Sequence, residues 1–122
     1  MEERKVIVAD TEPFIRDTLK IKLQSKGYQV ILATSARELI RSAGREVPDL
    51  IIMEINFADL EGYRVCQFLK GSEKTRDIPI IILTSEPDTP KNIFSYGAWV
   101  KEYITKPFSP RAFLKTVEKV LS

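Results

Sequence analysis

A chain of 122 residues that is 43% apolar and 30% charged has the make-up of one globular domain, large enough to bury a core without staples. Its 19 basic and 17 acidic residues leave a net charge of +2, which gives no polyelectrolyte signature for nucleic acid. With no histidine and the single cysteine Cys66, histidine acid–base catalysis, histidine-ligated zinc, cysteine metal sites and a disulfide framework are all excluded.

The N-terminus, Met1-Glu2-Glu3-Arg4-Lys5, is charged and lacks the apolar stretch of a signal peptide. No apolar run approaches the roughly 18 residues of a membrane span, so a cytoplasmic domain with no membrane partner is expected. Lys5–Ala9 reads as the first strand, and Pro13 opens a first helix whose inner stripe is Phe14, Ile15, Thr18, Leu19 and Leu23, with Gly27 as its stop. The basic residues Arg16, Lys20, Lys22 and Lys26 on that helix read as a solvated face. Tyr28–Ala33 is the second strand. Ser35 and Glu38 form a capping box for a second helix, with Leu39, Ile40 and Ala43 inward, that stops at Gly44.

Leu50–Glu54 and Pro79–Leu83 are continuous runs of leucine and β-branched residues, the pattern of parallel strands buried on both faces. Between them a third helix runs from Gly62 to Lys70 and ends at Gly71, and Cys66 falls within it as a small buried hydrophobe. Thr89-Pro90 opens a fourth helix, Lys101–Thr105 is the fifth strand, and Ser109-Pro110 opens a last helix striped by Phe113, Leu114, Val117, Val120 and Leu121. Strands starting at positions 5, 28, 50, 79 and 101 leave room for one helix in each interval, with no linker or repeat. The fold predicted for residues 1–122 is a (βα)₅ doubly wound three-layer α/β sandwich. Ligands of such sheets bind beyond the carboxyl ends of the strands. Asp10, Glu54, Thr84 and Lys106 each end one of the strand runs there.

Four motifs resemble the receiver domain of two-component response regulators, the CheY-like superfamily, over essentially the whole chain. They are Val6-Ile7-Val8-Ala9-Asp10-Thr11-Glu12-Pro13, Pro48-Asp49-Leu50-Ile51-Ile52-Met53-Glu54, Ile78-Pro79-Ile80-Ile81-Ile82-Leu83-Thr84-Ser85 and Tyr103-Ile104-Thr105-Lys106-Pro107-Phe108. The resemblance implies a flavodoxin-like parallel sheet of order 2-1-3-4-5 and a cis bond before Pro107. In the family an aspartate at the Glu54 position takes a phosphoryl group. Acids at the Asp10 and Thr11 positions, the acceptor and the Asn56 carbonyl hold Mg²⁺, while Thr84 and Lys106 equivalents bind phosphoryl oxygens. Tyr103 corresponds to the switch aromatic.

This chain departs from that pattern where the chemistry is most demanding. Glu54 carries its carboxylate one methylene further out, and a misplacement of about 1 Å can cost on the order of 10²-fold in rate. Thr11 removes a metal-binding acid, so Mg²⁺ binding is expected to be weakened, with no cofactor required. Ala58 replaces the usual proline, and Gly97-Ala98 fall two residues early, with Trp99-Val100 in their place. The expectation is a pseudo-receiver, not an enzyme, with Glu54 paired to Lys106 and holding one state. It would work through protein partners: a histidine kinase, an output domain or another signalling protein. Tyr103, Trp99 and Lys101 mark its interface, and a homodimer through the fourth-helix, fifth-strand and last-helix face fits the same surface.

Alternatives stand beside each residue. Glu54 is an edge carboxylate, a mimic of phosphoaspartate or a working acceptor. Lys106 is a structural partner of Glu54 and Asp10 or a phosphate ligand, and Thr84 satisfies local backbone or binds phosphoryl oxygen. Tyr103 is a packed aromatic or a moving switch, and Trp99 is an interface anchor or core. For the chain as a whole, an active receiver phosphorylated on the atypical acid is the first rival. A small-molecule sensor using the same crevice is the second, although Asp10-Thr11-Glu12-Pro13 lacks a phosphate-cradling glycine loop.

Overall fold

The computed structural model describes residues 3–85 and 96–122, and the helix predicted at Thr89-Pro90 lies outside them. Five parallel strands, β1 (Lys5–Ala9), β2 (Gln29–Ala33), β3 (Leu50–Glu54), β4 (Ile80–Thr84) and β5 (Glu102–Thr105), form one sheet of order β2-β1-β3-β4-β5. The described helices are α1 (Pro13–Ser25), α2 (Ala36–Glu46), α3 (Gly62–Lys70) and α4 (Pro110–Leu121).

The pleat divides each central strand between two cores. Ile51 and Met53 of β3, with Ile80 and Ile82 of β4, pack against Leu39 and Ala43 of α2 and Val65, Cys66 and Leu69 of α3. Leu50 and Ile52, with Ile81 and Leu83, pack against Leu19 and Leu23 of α1 and Phe113 and Val117 of α4. That is why β3 and β4 read as unbroken apolar runs: neither face of either strand meets water. The three-layer α/β fold is the one expected.

Two local expectations are corrected. Phe14 is 79% exposed and not part of the inner stripe of α1. The buried side is set by Leu19 and Leu23, and at about 100° per residue Phe14 lies roughly 140° around from Leu19. Nor does α2 stop at Gly44. It continues to Glu46, and the left-handed step falls on Val47 with φ 43°. Glycine costs a helix only about 1 kcal/mol, so the helical hydrogen bonding runs on past it, with Val47 N still donating to Ala43 O at 3.0 Å.

The capping box is realised by half. Ser35 Oγ accepts from Glu38 N at 3.1 Å, but the Glu38 carboxylate turns to Thr34 Oγ1 at 3.2 Å. Asp59 completes the N-terminus of α2 from the β3–α3 loop, accepting from Ala36 N and Arg37 N, each at 3.0 Å. Those two amides hold its carboxyl below the usual aspartate range. Ser109 Oγ caps α4 by accepting from Ala112 N at 2.9 Å.

Candidate functional site

Sheet order brings the polar strand ends together. Asp10 follows β1, Glu54 ends β3, Thr84 ends β4 and Lys106 follows β5, and Glu54, Thr84 and Lys106 line a crevice of about 120 Å³ together with Glu12. Asp10 is fully buried, Thr84 is 3% exposed and Glu54 7% exposed. The Lys106 amide donates to Thr84 O at 2.7 Å, which carries the β4–β5 pairing into the site, and the Lys106–Pro107 peptide is cis.

The charges are shared differently from the expected Glu54–Lys106 pair. Lys106 Nζ lies 2.8 Å from Asp10 Oδ2 and 3.1 Å from Glu12 Oε1. Among the described residues no ion pair joins it to Glu54. Instead Thr11 holds Glu54 twice, its amide donating to Oε1 at 3.3 Å and its hydroxyl to Oε2 at 3.1 Å. The reason is desolvation. The fully buried Asp10 carboxylate needs a counter-charge, and a single ammonium is best placed against it. The longer Glu54 side chain reaches the start of α1, where the neutral Thr11 can approach and donate.

Burial first, then the neighbouring Asp10 carboxylate, push Glu54 above the ordinary glutamate range, and the Thr11 hydrogen bonds offset this only in part. Burial pulls Lys106 down, but its bonds to Asp10 and Glu12 outweigh that and leave it raised. A raised carboxyl contributes a cost that is absent below the unfolded value of 4.5 and grows as pH rises through the folded value. Glu54→Gln keeps an acceptor for Thr11 and turns a donor towards Asp10. It is expected to stabilise the domain by about 1 kcal/mol at pH 7.5 and to lose that advantage by about pH 4. Urea denaturation at the two pH values measures it.

Further contacts frame the crevice. Glu12 N donates to Asp10 Oδ1 at 2.9 Å, and Arg16 Nη1 donates to Asp10 O at 2.6 Å, tying α1 to the end of β1. Gly62 N donates to Ile55 O at 2.7 Å and Asn56 bridges Glu61, which folds the β3–α3 loop back on itself. A Cβ on Gly62 would stand 2.5 Å from Ile55 O and 3.0 Å from Tyr96 Oη. Gly62→Ala is therefore expected to destabilise by about 1–3 kcal/mol, read from the thermal midpoint.

On the β5 side, Tyr103 is half-buried against Tyr96 (6.2 Å, edge to face), and Trp99 is half-buried against Tyr63 (5.5 Å). Lys101 is exposed, and its amide donates to Ile80 O at 2.9 Å. Burial raises Cys66 to about 12, as befits an inert core thiol. The sequence reading missed Asp59 as a cap, Glu12 as a second partner of Lys106, and Tyr63 and Tyr96 as aromatic partners. Only a loop aspartate ahead of a helix hinted at the first.

The model of the response regulator receiver domain matches residues 6–118. The chain belongs to the response regulator receiver domain family. A receiver of this kind is similar over 121 residues, at 36% identity, to the probable transcriptional regulator ycf27 of Porphyridium aerugineum, covering 99% of this chain and 49% of that protein. It is 32% identical to the alkaline phosphatase synthesis transcriptional regulatory protein PhoP of Bacillus subtilis, covering 97% of this chain and 48% of that one. This receiver chain thus spans about half the length of those curated relatives. The chemotaxis response regulator CheY4 of Vibrio cholerae superposes with TM-score 0.91 at 29% identity, over 98% of this chain and 100% of that one. Among the described residues of this receiver, no three His, Cys, Asp or Glu side chains are grouped as a metal site.

Proposed function

We propose that this receiver domain of the two-component class signals through protein contacts without an acyl phosphate on Glu54 and without Mg²⁺. The observation that carries this reading is the double hydrogen bond from Thr11 to Glu54. Both carboxylate oxygens accept from the residue that stands where the family has a metal-binding acid. The remaining donors suit a dication poorly. Asp10 already faces Lys106 at 2.8 Å, and only the backbone of the exposed Asn56 is left. A dication there would have to displace an ammonium and take two carboxylates, one of them already pushed towards its neutral form.

Receivers work with histidine kinases and output domains, and a cytoplasmic partner of that kind is the one proposed here. No described helix is long and apolar enough to cross a membrane. Its contact surface is β5 with the segment from Gly97 that leads into it, which carries Trp99, Lys101 and Tyr103. A homodimer through that face belongs to the same proposal. A small-molecule sensor fits less well, because about 120 Å³ is well short of the roughly 300–1,000 Å³ of ligand pockets.

Intact-mass measurement after incubation with acetyl phosphate and Mg²⁺ tests the reading, with Trp99 fluorescence during beryllofluoride titration beside it. No phosphoryl adduct and no saturable response are expected. A single phosphoryl adduct on Glu54 that hydroxylamine releases, as it does an acyl phosphate, would make the domain an active receiver instead.

A further inference from the structure

We propose that the outer face of α1 joins a second copy of this chain, in a weak antiparallel dimer about a two-fold axis. α1 buries Leu19 and Leu23, and at about 100° per residue Phe14, Thr18, Ile21 and Ser25 follow one another along its outer side. That 4-3-4 spacing makes a second, uncharged stripe on a helix that already has an inner one. Phe14 is 79% exposed and Ile21 63% exposed. The other exposed large apolar residues among the described ones, Val47 and Phe68, belong to the α2–α3 side of the sheet.

The stripe does not end with the helix. Beside it lies an apolar hollow of about 300 Å³, between α1 and the turn that follows β5. Phe14, Ile15, Leu19 and Phe108 are among its lining residues, and Thr18 is the one polar side chain there. A single exposed apolar residue is ordinary on a protein surface. A row of them that runs into an apolar hollow marks a contact site.

The occupant follows from the way the stripe complements itself. A two-fold interface sets one patch against the same patch, so both sides of every contact must come from α1. With the helices antiparallel and the axis between Asp17 and Thr18, Phe14 faces the partner's Ile21 at the mouth of the hollow. The reverse contact follows by symmetry.

Charge agrees with that register. Asp17 and Lys20 lie on one flank of the stripe, and among the described residues no ion pair engages either. The two-fold brings Asp17 to within about 3 Å, along the helix axis, of the level of the partner's Lys20 on the same flank. One face of a 13-residue helix is well short of the roughly 800 Å² per partner of a standard interface, so the dimer has a dissociation constant on the order of 100 μM. Tyr103 and Trp99 pack against the core on the other face of the sheet, so this surface is separate from the one proposed above.

Sedimentation velocity on the full chain, from about 5 μM to about 1 mM, tests the proposal. The weight-average mass is expected to climb from 14.0 kDa towards twice that value. Phe14→Gln/Ile21→Gln should weaken association at least about tenfold without lowering the thermal midpoint, because both side chains are exposed in the monomer. Asp17→Lys should weaken it too, and adding Lys20→Asp should restore it. Thr18→Cys, close to the axis, should cross-link the two copies with oxidised glutathione, since helices packed about 8–10 Å apart bring such residues within disulfide range. Cys66 is buried and does not compete. A monomer at every concentration would overturn the proposal and leave the stripe to a helix of a different protein. A dimer that survives Phe14→Gln/Ile21→Gln, or that gives no cross-link through Thr18→Cys, would also overturn it.

Discussion

Lys106→Met is expected to destabilise the domain by about 3 kcal/mol, because it removes one partner of a buried ion pair and leaves the other. Asp10 is fully buried and Lys106 is only 11% exposed at its side chain, so the Asp10 charge does not regain water when its partner is removed. The Glu12 amide remains as a donor to Asp10 Oδ1, which limits the loss to the lower end for such pairs. Asp10→Asn in the Lys106→Met background should recover most of the deficit, since no uncompensated charge then remains buried. Urea midpoints for the four proteins give the coupling directly, and additive single effects would show that the pair does not act as a unit. The stabilisation from a raised ammonium is fully present below the unfolded value of 10.5 and is lost as pH rises through the folded value. The difference between parent and Lys106→Met should therefore be level through neutral pH and shrink only in strong alkali.

Thr11→Asp/Glu54→Asp is expected to create the metal and acceptor chemistry that the proposed function denies to the parent. It places three short carboxylates around one point, where the parent has two carboxylates and two hydrogen bonds from Thr11. Without a cation the double variant should be less stable than the parent, since like carboxylates crowd each other. With Mg²⁺ at ten times its dissociation constant it should regain about 1.4 kcal/mol, while the parent midpoint stays put. Shortening the acceptor by one methylene restores the in-line distance, and incorporation from acetyl phosphate should rise by on the order of 10²-fold. A parent protein that incorporates phosphate at the same rate as the double variant would mean that Glu54 is itself an acceptor.

Much of this was legible in the residues alone. β3 and β4 could be placed because strands buried on both faces need no alternation, and a run such as Ile80-Ile81-Ile82-Leu83 has no other comfortable place in a small domain. Glu54 at the end of β3 and Lys106 after β5 followed from those strands, because a polar residue that ends a buried run must lie at the sheet edge. Helix starts at Ser35 and Ser109 followed from caps that act over three residues. Each of these inferences depends on neighbours within one turn of helix or one strand, and local chemistry decides them.

What the sequence left open depended on distances across the chain. Whether Lys106 takes Glu54 or Asp10 is decided by how the order β2-β1-β3-β4-β5 sets the spans between strand ends, and by which carboxylate is more deeply buried. Asp59 could cap α2 only once the β3–α3 loop lay over its first turn, more than twenty residues away in sequence. Phe14 stayed in water because the buried side of α1 is fixed by the sheet and α4, not by which of its residues are apolar. Long flexible side chains and loop carboxylates find their partners after the backbone has folded, so only the tertiary structure could assign them.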